Sequence, residues 1–201
     1  YNNYGQLGIG NVNQYSQRQE VTQDITGKEL GIVQQVEVGF YYHSCAIIDF
    51  SAYCWGHNNY GQLGDSTTSN RNRPTKVNAP DNARFTDLSV GAYQSCGIIE
   101  NGSVYCWGRN NYGQLGDNST GDSHLPNYTM IPGNSKAIAI TSGLHHSCAL
   151  MDNNSIYCWG YNNRGQLGDG SYTTGYKPVK SQLNPTNRIV QISAGGEFTC
   201  A

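Results

Sequence analysis

The chain has 201 residues, 37% of them apolar and only 13% charged, and a formal net charge of −2 at pH 7. That balance argues for neither a basic nucleic-acid-binding surface nor a basic membrane-surface segment, and the absence of any run of about eighteen apolar residues excludes a transmembrane helix. No charged-then-apolar signal segment is visible at Tyr1-Asn2-Asn3, and 25 Gly and 15 Tyr against 2 Met point to short strands and tight turns.

In chain order, Tyr1 to Gly8 ends in Gly-Gln-Leu-Gly. The same words return in full as Tyr53 to Asp65, Tyr105 to Asp117 and Tyr157 to Asp169, each running Tyr-Cys-Trp-Gly, an Asn-rich turn and Gly-Gln-Leu-Gly-Asp. The full copies are 52 residues apart, and a fixed period of that size is the mark of a repeat architecture. A second landmark falls at Ser44-Cys45, Ser95-Cys96, Ser147-Cys148 and Thr199-Cys200. The chain thus reads as one repeat domain with a partial unit over 1–52, units over 53–104 and 105–156, and a partial unit over 157–201, starting and stopping inside the repeat.

Each unit reads as strand throughout. Gly97-Ile98-Ile99 and Ser103 to Trp107 flank Glu100-Asn101-Gly102, a hairpin loop. A further strand is expected at Ala137 to Ile140, matched by Arg84 to Val90 and Ile189 to Ile192. Pro74, Pro126 and Pro178 recur in the connecting segment, where a missing N–H costs least at an edge or in a loop. About four short strands per roughly 50 residues is the arithmetic of a β-propeller blade. A helical solenoid would need a 3.6-residue apolar period that no unit shows, and a β-helix would have a shorter repeat. The expected fold is all-β, with about four propeller blades in this chain.

The cysteines fall as Cys45 with Cys54, Cys96 with Cys106, Cys148 with Cys158, and Cys200 alone. None of these spacings is that of a zinc site. If Cys96 faces Cys106 across a hairpin, Ile99 faces Ser103 and the loop is Glu100-Asn101-Gly102, with Gly in the left-handed third position that such a loop needs. The same rule places Asn154 third in Asp152-Asn153-Asn154. For Cys45 and Cys54 it leaves a two-residue loop, Asp49-Phe50, or a four-residue one, and Phe50 suits a positive φ poorly. Facing cysteines would form cross-strand disulfides, which persist in oxidising compartments; small buried thiols on a core face are the alternative. Cys200 is expected to pair beyond Ala201 or at the closure of a ring. Asn101, Asn118, Asn127 and Asn153 each open an Asn-x-Ser/Thr glycosylation sequon on an expected loop.

The units Tyr-Cys-Trp-Gly-x-Asn-x-x-Gly-Gln-Leu-Gly, the Pro74-Thr75-Lys76-Val77 element, approximated by Pro178-Val179, and Gly143 to Leu150, read as Gly-x-x-x-Ser-Cys-Ala-Leu, resemble repeats of the regulator of chromosome condensation family over essentially the whole chain. The resemblance implies a seven-bladed propeller in which each repeat spans parts of two adjacent blades. The paired cysteines and the lack of a basic tail depart from the nuclear member. They resemble the extracellular relatives, and they put a nuclear nucleotide-exchange role in doubt.

Trp55, Trp107 and Trp159, with Leu63, Leu115 and Leu167, sit at fixed period and read as scaffold packing between blades, with an aromatic ligand lining as the alternative. The Asn-Asn-x-Gly-Gln-Leu-Gly segments read as self-satisfied turns rather than glycan- or peptide-contacting loops. Asp65, Asp117 and Asp169 are expected to cap turns, since the calcium-loop pattern is absent. The histidines form no metal motif, and no nucleophile–base set is present, so neither an enzyme nor a cofactor is expected.

Variation is where specificity would be written. His57 becomes Arg109 and Tyr161, and Tyr42-His43 becomes Tyr93-Gln94 and His145-His146. The connections Ile9 to Leu30, Ser66 to Asn82, Asn118 to Ser135 and Gly170 to Asn187 also vary. They carry Tyr15, Arg71, Arg73, Tyr128, Tyr172 and Tyr176, residue types favoured at binding hot spots, on loops of a rigid scaffold. The leading expectation is a secreted or cell-surface binding or assembly module whose partner is a protein or another copy, with glycan contact allowed and neither nucleic-acid binding nor membrane insertion. An intracellular exchange-factor-like propeller acting on a small GTPase is the alternative, and a carbohydrate-binding module the third.

Overall fold

The computed structural model describes residues 1–183 and 188–201. Residues 184–187, the end of the variable connection expected from Gly170 to Asn187, lie outside the described residues. All regular elements among the described residues are strands. The first blade is β1 (Val33–Val38), β2 (His43–Ile48), β3 (Ser51–Gly56) and β4 (Arg71–Lys76). The second is β5 (Phe85–Val90), β6 (Gln94–Ile99), β7 (Val104–Gly108) and β8 (Ser123–Tyr128), and the third is β9 (Ala137–Ser142), β10 (His146–Met151), β11 (Ile156–Gly160) and β12 (Gly175–Lys180). A fourth begins with β13 (Ser193–Ala194) paired to β14 (Thr199–Cys200). Every blade is an antiparallel meander with its strands hydrogen-bonded in chain order.

The two middle strands of each blade are covered on both faces, so they read as short continuous apolar runs rather than alternations. Ala46-Ile47-Ile48 in β2 and Ala149-Leu150-Met151 in β10 are fully buried runs of this kind. The core lies between blades: Ile47, Cys45, Cys54 and Leu63 of the first pack with Phe85, Leu88 and Trp107 of the second. A similar cluster joins Ile98 and Leu115 to Ile140, Met151 and Trp159. The first strands also pack in series, β1 on β5, β5 on β9 and β9 on β13.

The hairpins follow the cysteine register. Cys45 faces Cys54, Cys96 faces Cys106 and Cys148 faces Cys158, with Cα atoms 4.1, 4.1 and 4.0 Å apart and each pair joined as a disulfide. These are non-hydrogen-bonded pairs of the ladder, where facing Cα atoms come closest. In the second hairpin the Ile99 amide donates to Ser103 at 3.0 Å and Gly102 takes φ +86°. In the third, Asn154 takes φ +68°. The first closes through the two-residue loop, with Asp49 at φ +48° and Phe50 at +61°. A turn with two left-handed residues matches the right-handed twist of its strands. Phe50 is held there by neighbours: the Arg84 guanidinium lies 3.9 Å from its ring centre, and its carbonyl accepts from the Phe85 amide at 2.8 Å.

Some expected loop residues are on strands. Arg71 and Arg73 lie on β4, Asn127 and Tyr128 on β8, and Tyr176 on β12. Pro74, Pro126 and Pro178 sit in these same strands, each the outermost of its blade, where one side of the ladder needs no donor. Proline and charged residues there mask the strand pattern. The strand expected over Ile189 to Ile192 forms instead at Ser193–Ala194.

Candidate binding face

In a four-strand meander the turns after the first and third strands share one end of the blade, and the hairpin between the middle strands points the other way. The Asn-rich Gly-Gln-Leu-Gly segments follow the third strand of each blade and so lie on the first of these faces. Each is organised by one fully buried asparagine, at Asn2, Asn58, Asn110 and Asn162. The Oδ1 of Asn58 accepts from the Leu63 amide at 2.9 Å, and its Nδ2 donates to the carbonyls of Thr67 and Ser69 at 3.0 Å each. Asn110 and Asn162 hold Leu115 and Leu167 in the same way. The leucines are thereby fixed as core plugs, all three with no exposed surface.

The same segment locks onto the next blade. The Gln carbonyl, at Gln6, Gln62, Gln114 and Gln166, accepts from the hydroxyl of Ser44, Ser95, Ser147 and Thr199 respectively, at 3.2, 2.9, 3.4 and 3.1 Å. The Trp55 and Trp159 indoles donate to Gln6 and Gln114, each at 2.9 Å. The closing glycine lies against the tryptophan: a Cβ on Gly8, Gly64 or Gly116 would come within 2.8, 2.8 or 2.9 Å of Trp55, Trp107 or Trp159. Asp65 caps the following turn through Thr67 and pairs with Arg71 at 2.7 Å. Burial works against its charge, but the bonds from Thr67 and Arg71 and the Arg71 charge hold Asp65 below the usual carboxylate range.

Each seam between blades also carries a variable cluster. At the first, Tyr4 packs on Tyr42 and His57 with ring centres 4.9 and 4.8 Å apart. At the second, Tyr60 lies 5.1 Å from Tyr93, and the Arg109 guanidinium sits 4.8 and 5.5 Å from those two rings. At the third, Tyr112 lies 5.2 Å from His145 and 4.7 Å from Tyr161. At the fourth, Arg164 faces Glu197 at 3.9 Å. Tyr41 stacks on Tyr93 at 4.9 Å, and His57 reaches Tyr93 at 6.0 Å, joining the first two seams into one row. Burial lowers the affinity of His57 and His145 for a proton, with the Arg109 charge adding to the effect at His145.

This row was only half legible in the sequence. His57, Arg109 and Tyr161 stood out as variable, but Tyr4, Tyr60 and Tyr112 were hidden inside turns that read as structural. Their position is tyrosine in three copies, and its only departure, Arg164 in the fourth, is the signal that it faces outward rather than inward. Of the expected contact residues, Tyr176 lies against Gly113, next to Tyr112, and Tyr172 near Gly165, next to Arg164. Tyr15 and Tyr172 are exposed on connections, while Tyr128 and Tyr176 are exposed on outer strands. Arg71 is engaged with Asp65, and Arg73 lies beside Gly10. Of the four sequons, Asn101 and Asn153 are exposed at hairpin tips on the opposite face, and Asn118 is exposed beyond Asp117. Asn127 is part-buried and donates to Asp117 at 3.0 Å. Cys200 is an exposed free thiol. Among the described residues, no group of three or more His, Cys, Asp or Glu is placed to hold a metal ion.

Four-stranded meanders packed around a common axis, with seam-locking loops at a 52-residue period, define a repeat-built β-propeller segment. The model of the regulator of chromosome condensation (RCC1) repeat matches residues 51–98, 101–150 and 153–201, and the chain belongs to that family. Each matched repeat holds the outer two strands of one blade and the inner two of the next.

Among curated relatives, the ultraviolet-B receptor UVR8 of Arabidopsis thaliana is 28% identical over all of this chain and 44% of its own length. The probable E3 ubiquitin-protein ligase HERC4 of Homo sapiens is 32% identical over 87% of this chain and 17% of its own. The chain thus spans less than half the length of these relatives. Among solved structures, yeast RCC1 (Prp20), in a crystal structure with Kap60, superposes with a TM-score of 0.73 at 24% identity, over 83% of this chain and 41% of that one. Human WBSCR16 gives 0.55 at 19% identity over 98% and 64%. Both likenesses concern the fold.

Proposed function

We propose that this chain is a non-catalytic binding module that docks a protein partner on the seam face, in an extracellular or cell-surface setting. The carrying observation is the set of seam clusters: a recurring lock, in which the Asn-Gln-Leu segment of one blade meets a Ser or Thr of the next, holds clusters whose make-up changes from seam to seam. Rigid tyrosines give large contact area at low entropic cost, and rings paired with arginine are typical anchors. The three hairpin disulfides support the oxidising setting. In that setting, Asn101 and Asn153 offer glycan acceptors on the face away from the seams.

The test is quantitative capture from extracellular fluid of the source, comparing the wild type with Tyr60→Ser/Tyr112→Ser. A partner recovered at least tenfold less by the variant supports the seam face; equal recovery removes it. A non-reducing peptide map of protein harvested with thiols blocked checks the setting. Free cysteines throughout would end the extracellular reading, and the next assay would then be nucleotide release from a panel of small GTPases.

A further inference from the structure

The second seam holds a charge that no other charge answers. The Arg109 guanidinium is supported on Tyr60 and Tyr93, half-buried, and among the described residues it makes neither an ion pair nor a hydrogen bond. Stacking uses only the flat face of a guanidinium and leaves its in-plane N–H donors free, a fork that matches a carboxylate in bidentate fashion. The fourth seam shows the complete arrangement: Arg164, at the position of Tyr60 and Tyr112, is answered by Glu197, at the position of Tyr93 and His145. In the second seam those two positions are both tyrosine, Tyr60 and Tyr93, and the cation stands instead at Arg109, the position of His57 and Tyr161, with no acid among the described residues answering it. The neighbouring third seam adds a buried ring nitrogen without a partner, Nδ1 of His145.

We infer that Arg109, braced by Tyr60 and Tyr93, is the anchor for a carboxylate of the docked protein, so that the seam face selects a partner segment bearing Asp or Glu. Charge complementarity supports this occupant, because among the described residues of the seam clusters the acid is Glu197, which already faces Arg164. The inference rests on the docking reading above. A partner carboxylate would supply in trans an acid for Arg109, as Glu197 supplies one within the chain for Arg164 at the fourth seam, while the tyrosine rings exclude water from the pair and strengthen it.

The test is selection of a random dodecapeptide phage library on the folded, disulfide-intact chain, with R109Q and R164Q as parallel targets and Y60S/Y112S as a face control. Peptides enriched in Asp or Glu on the wild type and on R164Q, and recovered at least tenfold less on R109Q, would bear the inference out. Peptides that need the tyrosines but show no acidic enrichment, or bind R109Q equally, would overturn it and leave the docking reading standing. Peptides indifferent to Y60S/Y112S would sink both. Elution of the acidic peptides by millimolar inorganic phosphate but not by acetate would reassign the anchor to a phosphoryl group and overturn the carboxylate. Matching thermal midpoints for R109Q and the wild type would show that the variant is folded.

Discussion

Gly64 shows how single residues set the geometry of this chain. It holds φ +67°, and a Cβ there would lie 2.8 Å from the Trp107 indole nitrogen. Both the backbone and the neighbouring blade therefore demand glycine. Gly64→Ala is expected to cost about 1–3 kcal/mol, from left-handed strain plus a displaced indole. Gly121, with open space around it, is the control: Gly121→Ala should move the urea midpoint by less than about 0.5 kcal/mol equivalent. Equal midpoints for the two variants would show that the glycine–indole contact is not limiting. The buried asparagines act at the same scale. Asn110→Ala would strand the Leu115 amide and is expected to cost about 1–3 kcal/mol, read by the same urea titration.

At the scale of the element, the hairpin is the unit that each disulfide closes. The loops are short, with cysteines 9 or 10 residues apart, so the chain-entropy contribution lies at the low end of the usual range. C96A/C106A is expected to lower stability by about 2–3 kcal/mol, read as a shift in urea midpoint, without loss of the strand signal in circular dichroism. Because both sulfurs are fully buried, reductant should act on the native chain only through opening of the blades. In the first hairpin the turn residue Phe50 spoke against the left-handed loop it forms, but the second and third were legible because facing cysteines and turn chemistry give the same register independently. The outer strands were not, because Arg71, Arg73 and Pro74 on β4 look like loop residues until an edge excuses them.

Across the whole molecule, the blades are tied by polar latches as well as by apolar seams. Gln35 of the first blade bonds Leu88 and Asp87 of the second, and Asp87 in turn accepts from the Ile140 amide of the third at 3.0 Å. On the other side of the seam, His43 reaches Ser95 at 3.0 Å and His146 reaches Thr199 at 2.9 Å. Burial pushes His43 down to about 3 and His146 down to about 4. The folded chain keeps both rings neutral, while the unfolded chain protonates them below about 6.5. Stability from these two residues is therefore full above pH 6.5 and is lost as pH falls towards 4 and 3, at up to about 1.4 kcal/mol per unit for each.

Glu37 and Asp87 act in the opposite sense. Burial raises both, so the fold takes up their protons early and gains stability as pH falls through that range. The buried histidines, with much the larger displacement at His43, are expected to dominate between pH 6.5 and 5. Glutamine already fills the matching position at Gln94, bonding the Gly143 carbonyl at 3.1 Å. His43→Gln should accordingly flatten the acid limb of a plot of thermal midpoint against pH, and an unchanged slope would show that His43 is not the titrating group.

Taken by itself, the sequence determined the repeat, its period, the all-β class, the facing cysteines and the Gly-Gln-Leu-Gly turns. These are local facts, set by residues a few positions apart or by self-similarity along the chain. What the tertiary structure decided is what meets across the seams: Tyr60 with Tyr93 and Arg109, Gln62 with Ser95, Asp87 with Ile140. Those partners lie tens of residues apart and on different blades. No local pattern encodes their contact, because it arises only when neighbouring sheets pack and bring equivalent positions of successive units side by side.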